Sequence, residues 1–86
     1  MHIILVYDIN AKKVNKALKI CRQYLVHIQK SVFEGNITQA NLDKLKKQLA
    51  NIIDKQKDSV IIYRLDSPKY IGKEQIGVIE DNSNII

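Results

Sequence analysis

His2-Ile3-Ile4-Leu5-Val6-Tyr7-Asp8 is the stretch on which the fold turns. Its apolar residues occupy consecutive positions, so neither side of a strand here would be polar. That pattern marks a strand buried on both faces, central in a sheet. The run ends on a carboxylate, and no further acid occurs until Glu34. The segment between carries Lys12, Lys13, Lys16, Lys19, Arg22 and Lys30. A lone strand-end acid therefore faces a wholly basic segment.

Working outward, Asn10 is expected to cap a helix. Val14, Ala17, Leu18, Cys21 and Leu25 recur at helical spacing, while Lys12, Lys16, Lys19 and Gln23 share another face. Val26, Ile28, Val32, Phe33 and Ile37 read as strand, broken or bulged near residues 29 to 31. Gly35-Asn36 reads as a turn or bulge. Thr38 suits the cap of a second helix, with Asp43 in its first turn. Leu42, Leu45, Leu49, Ile52 and Ile53 form its apolar stripe. Lys55 to Asp58 is a polar break. Residues 59 to 65 form another strand, apolar on both faces and stopped by Pro68.

The order is strand, helix, strand or hairpin, helix, strand. This predicts an α+β, ferredoxin-like βαββαβ sandwich with both helices on one sheet face. Two helices cover one face only, so the second apolar face calls for a partner. A symmetric homodimer packed sheet to sheet meets that need. Residues 70 to 79 have no place in a four-strand plan. They are expected to form an extra short C-terminal strand, on this subunit's edge or its partner's. The chain reads as one domain: a core over 1–67, a C-terminal strand or dimer-crossing segment over 68–80, and a tail over 81–86.

Composition narrows the partners. The chain has 86 residues, a net charge of +5 and a single cysteine. A small basic domain attracts polyanions, nucleic acid before membrane. No apolar run approaches the length of a spanning helix and no signal-peptide pattern opens the chain, so no membrane partner is expected. One cysteine excludes an internal disulfide and points to the cytoplasm.

Val6-Tyr7-Asp8-Ile9 followed by a basic helix, then Gln29-Lys30-Ser31-Val32-Phe33-Glu34-Gly35, carry a resemblance when taken together. With Asp58-Ser59-Val60-Ile61-Ile62-Tyr63-Arg64-Leu65 and the late Ile76-Gly77, they resemble the CRISPR-associated protein 2 family, in order to about Gly77. The resemblance implies a ferredoxin-like homodimer whose C-terminal strand crosses to the partner. It implies a role in spacer acquisition, where the dimer bridges the CRISPR-associated protein 1 integrase and holds DNA. It further implies Mg²⁺-dependent endonuclease activity on single-stranded RNA or double-stranded DNA, as described for some members. The family's strand-end aspartate corresponds to Asp8 and the tyrosine before it to Tyr7. Its second-motif serine and phenylalanine correspond to Ser31 and Phe33. Members often carry arginine where this chain has Lys12, Lys13, Asn15, Lys16 and His27. Lysine still binds phosphate, but as a point charge without the bidentate fork.

Two readings stand for Asp8: an ion pair with Lys12 or Lys16 on the next helix, or a catalytic and metal-binding carboxylate. A two-fold dimer supplies Asp8 twice, so one Mg²⁺ ion shared across the dimer is the expected cofactor. Ser31 joins Asp8 as a catalytic candidate, by hydrogen-bonding a phosphate or the carboxylate; its other reading is a strand bend. Lys12, Lys13, Lys16, Lys19, Arg22 and Lys30 are the nucleic-acid-binding candidates, for DNA or RNA backbone. Tyr7 and Phe33 are expected to support the site from the core, and His27 and Cys21 to be structural. A ribonuclease toxin of the virulence-associated protein D type is the alternative, separated by integrase binding.

Overall fold

The computed structural model describes residues 1–66 and 69–78. The elements run β1 (His2–Asp8), α1 (Val14–Arg22), β2 (Val26–Gln29), β3 (Val32–Asn36), α2 (Gln39–Ile52), β4 (Ser59–Asp66) and β5 (Lys69–Gly77). They form an antiparallel sheet of order β2-β3-β1-β4-β5. The first four strands have the ferredoxin-like arrangement that the sequence predicts, with β1 central between β3 and β4.

The two faces of β1 are chemically alike and physically different. Ile3, Leu5 and Tyr7 are buried and join Phe33, Val60 and Ile62 in one core. Ala17 and Cys21 of α1 and Leu42, Leu45 and Leu49 of α2 close that core from above. Strand residues alternate between faces, so Ile4 and Val6 point the other way. Their register partners Tyr63, Ile61, Val32 and Glu34 join them on that face, which is apolar apart from Glu34 at this level. These residues are half-buried, and none packs against the core. Val26, on the edge strand, is 64% exposed. An uncovered apolar sheet face is therefore a feature of the single chain.

The helix ends differ. Thr38 caps α2 as expected, its Oγ1 accepting from the Asn41 amide at 3.1 Å. Asp43 lies beyond the first turn and accepts instead from Gln39 Nε2 at 2.9 Å. Asn10 is not the cap of α1. The helix starts later, after Lys13, and no side chain caps it. Asn10 instead closes the preceding turn, Oδ1 accepting from the Lys12 amide and its carbonyl from the Lys13 amide, each at 2.9 Å.

Gly35-Asn36 is likewise not a turn, because β3 runs through both. Gly35 pairs with Ile3 on the helix-covered side, where a Cβ would meet Leu25 in ordinary contact at 3.4 Å. The irregularity expected near residue 29 is present as a register shift between His27 and Gln29.

The extra C-terminal strand exists and is longer than expected, with nine residues. It pairs with β4 of the same chain. Lys46 of α2 reaches Glu74 of β5 at 2.5 Å, tying the strand to the helical layer. The stop at Pro68 and the tail over 81–86 lie outside the described residues.

Candidate nucleic-acid site

Asp8 is the last residue of β1 and is exposed. It pairs in register with Ser59 and, by alternation, belongs to the uncovered face with Ile4 and Val6. Among the described residues its carboxylate has no hydrogen-bond or ion-pair partner. The expected pairing with Lys12 or Lys16 does not occur. The Lys12 amide is taken up in the turn closed by Asn10, and the helix begins only at Val14.

A cleft of about 240 Å³ opens at this strand end, lined by Tyr7, Asp8, Ile9, Val14, Lys30 and Ser31. The β2–β3 turn reaches it through the backbone, where the Tyr7 amide donates to the Ser31 carbonyl at 3.1 Å. His27 steadies that turn from behind. Its Nε2 donates to the Lys30 carbonyl at 3.0 Å, and its ring stacks on Phe33 at 4.6 Å. The structural role expected of His27 is thus a specific one: it holds the turn bearing Lys30 and Ser31.

Tyr7 and Phe33 lie beneath the site rather than in contact with solvent. Phe33 is fully buried and packs 5.6 Å from the Tyr7 ring. It cannot act as a base-stacking platform without leaving the core. Burial raises the pKa of the Tyr7 hydroxyl, the neighbouring Cys21 adds to the rise, and Arg22 opposes it. Tyr7 therefore stays a neutral phenol at physiological pH. Burial pushes the Cys21 thiol up to about 12, which makes it an inert core group.

The structure thus brings Asp8, Lys30 and Ser31 together over Tyr7. It does not bring Lys12, Lys13, Lys16, Lys19 or Arg22 into the cleft; Lys16, Lys19 and Arg22 are exposed along α1 and Lys12 is exposed on the turn before it. Lys16 and Lys19 continue one exposed face of α1 as a basic stripe outside the cleft lining, while Arg22 acts electrostatically on Tyr7. Among the described residues no three His, Cys, Asp or Glu side chains converge as a metal cage. One carboxylate suits Mg²⁺ only where waters, substrate phosphate or a symmetry-related carboxylate complete the shell.

Sequence reasoning overlooked Asp58. It is 2% exposed. Oδ1 accepts from the Asn10 amide at 3.0 Å and Oδ2 from the Asp54 amide at 2.8 Å. The Asn10 amide lies 48 residues away in sequence, beyond the reach of a local pattern.

The site is thus a strand-end carboxylate beside a basic turn, on a ferredoxin-like sheet with one uncovered face, and comparison with known proteins assigns its family. The family described as CRISPR associated protein Cas2 matches residues 1–71. The CRISPR-associated endoribonuclease Cas2 of Thermotoga maritima is 42% identical over 86 residues, covering 100% of this chain and 99% of that protein. The same-named protein of Pyrococcus furiosus is 48% identical over 67 residues, or 78% of this chain and 79% of its own. The crystal structure of Streptococcus pyogenes Cas2 at pH 6.5 superposes with a TM-score of 0.72 at 33% identity, covering 78% of this chain and 88% of that one. A second crystal structure, of a Cas2, gives 0.69 at 44% identity, over 73% of this chain and 71% of that one. The chain belongs to the Cas2 family, and the virulence-associated protein D-type alternative gives way to it. No helix among the described residues is long and apolar enough to cross a membrane.

Proposed function

We propose that this chain is a CRISPR adaptation protein that works as a symmetric homodimer in the cytoplasm. It binds nucleic-acid backbone, bridges the CRISPR-associated protein 1 integrase during spacer acquisition, and cleaves phosphodiester bonds with Mg²⁺. The observation that carries this reading is the position of Asp8. It is exposed and unpaired, beside Lys30 and Ser31, on the apolar face that a second copy would cover. Packing two such faces together buries Ile4, Val6, Val32 and Ile61, and turns two Asp8 carboxylates toward one seam. The names of the relatives as endoribonucleases support the cleavage step.

In this reading the paired Asp8 carboxylates hold one Mg²⁺, which when bound polarises the scissile phosphate and acidifies an attacking water. Lys30 binds a phosphate oxygen as a point charge, and the Ser31 hydroxyl hydrogen-bonds a neighbouring one. Tyr7 and Phe33 fix the backbone that presents both. Lys12, Lys13, Lys16, Lys19 and Arg22 contact phosphates further along the strand or duplex without reading bases. A second copy doubles that stripe.

The test has two parts. Sedimentation of the wild type at micromolar concentration gives a dimer, and Val6→Asp gives a folded monomer. A stable wild-type monomer sinks the shared-ion arrangement. Pull-down of the integrase by the wild type, retained by Asp8→Ala, supports a bridging role independent of hydrolysis.

A further inference from the structure

We infer that Asp58 is a positioning residue for Asp8, a role that rests on the reading of Asp8 given above. The chain leaves the sheet at Asp8, and beyond that residue no ladder directs it. What directs it is Asp58. Its Oδ1 takes the Asn10 amide, two residues past Asp8, at 3.0 Å. The next residue, Ser59, is the register partner of Asp8 itself. The dipeptide Asp58-Ser59 therefore grips the chain on both sides of Ile9.

The grip sets one wall of the cleft. Asn10 closes the turn to α1 through the Lys12 and Lys13 amides. Ile9 and Val14, on either side of that turn, line the cleft together with Lys30 and Ser31. Holding the Asn10 amide thus holds Ile9, the turn and Val14 as a unit.

Asp58 is itself held from two further directions. Its Oδ2 accepts from the Asp54 amide at 2.8 Å, and its own amide donates to the Asp54 carbonyl at 2.7 Å. Its carbonyl accepts from the Val78 amide at 2.9 Å, just past the end of β5. Gly77 adopts φ 101°, and a Cβ there would fall 2.0 Å from the Asp58 carbonyl oxygen. The end of β5 lies directly against this residue. Asp58 thereby joins the α2–β4 turn and the loop that follows Asp8 through its buried carboxylate, and the end of the C-terminal strand through its backbone carbonyl.

The experiment compares full-length wild type, Asp58→Asn, Asp58→Ala and Asp8→Ala. Three quantities are read: single-turnover cleavage of single-stranded RNA and of duplex DNA in Mg²⁺, affinity for both in EDTA, and amide exchange with the Asp8 ¹³C carboxylate resonance. Asp58→Asn preserves shape but sets an NH₂ donor against one of the two backbone amides, so it serves where Asp58→Ala fails to fold. The expected result for Asp58→Asn is a cleavage rate lower by about 10- to 100-fold, the scale of a small misplacement. Affinity stays within about twofold, protection is lost at the Asn10 amide, and the Asp8 resonance shifts or broadens. Wild-type cleavage by Asp58→Asn with the Asn10 protection gone overturns the inference, and so does a parallel fall of rate, affinity and melting temperature. If Asp8→Ala cleaves like wild type, or wild type does not cleave, the reading of Asp8 fails by itself. The Asp8 resonance then decides, and an unchanged line in Asp58→Asn overturns the positioning role.

Discussion

Asp8 and Asp58 sit at the same end of the sheet, one ending β1 and the other just before β4, and only one of them is satisfied. Asp58 is out of water with a backbone amide on each oxygen. Asp8 is in water with no partner among the described residues and Lys30 lining the same cleft. A buried carboxylate is tolerated only when its hydrogen bonds are made, and then it fixes the chain around it. An exposed one adds little to stability and keeps its oxygens for a ligand. The contrast separates a residue that holds the fold from one the fold holds up.

The largest expected effect falls on the first of the pair. Asp58→Ala leaves the Asn10 and Asp54 amides without acceptors, at about 1–3 kcal/mol each. Urea denaturation should therefore show a loss of about 3 kcal/mol, and a loss below about 1 would break the comparison from the structural side. Gly77→Ala comes next, at about 2 kcal/mol, because a side chain there is strained in φ and meets the Asp58 carbonyl. A neutral Gly77→Ala would mean that β5 does not pass against Asp58.

Smaller effects sharpen the functional side. Lys16→Gln should weaken RNA or duplex binding without altering base preference and reduce the salt slope by about 1. An unchanged slope would remove Lys16 from the phosphate contacts. Asp8→Ala should change stability least, within about 0.5 kcal/mol in the same urea titration. A large loss would show that its exposed carboxylate has a structural partner.

Alkaline stability tests the core beneath the pair. The Cys21 pKa is raised on folding from 9.0 to about 12, so the native state prefers the neutral thiol. Its contribution is complete below about pH 9 and is lost as pH climbs toward 12. Cys21→Ala should flatten that part of the pH–stability curve, and an identical slope would contradict it.

Most of the fold was legible because it rests on side-chain pattern. The double-faced apolar runs at Ile3–Tyr7 and Val60–Leu65 placed the two central strands, and helical spacing placed both helices, although Leu25 and Ile53 fall past their ends. Asp8, Lys30 and Ser31 were found together from their motifs, and the structure brings them to one cleft. Backbone decided what was missed. Asn10 looked like a cap because capping and turn-closing ask for the same side chain. Gly35 looked like a turn because Gly-Asn is a common turn pair, yet both residues lie within β3. Asp58 does lie in the break before β4, and only its acceptor role was hidden, because the Asn10 amide it holds is 48 residues away in sequence.

The most direct measurement is cleavage of single-stranded RNA and duplex DNA by wild type and Asp8→Ala, each in Mg²⁺ and in EDTA. The account predicts cleavage by wild type in Mg²⁺ alone and a loss of at least about 100-fold in Asp8→Ala, with both proteins equally stable and equally dimeric. Undiminished cleavage by Asp8→Ala in Mg²⁺ would contradict it.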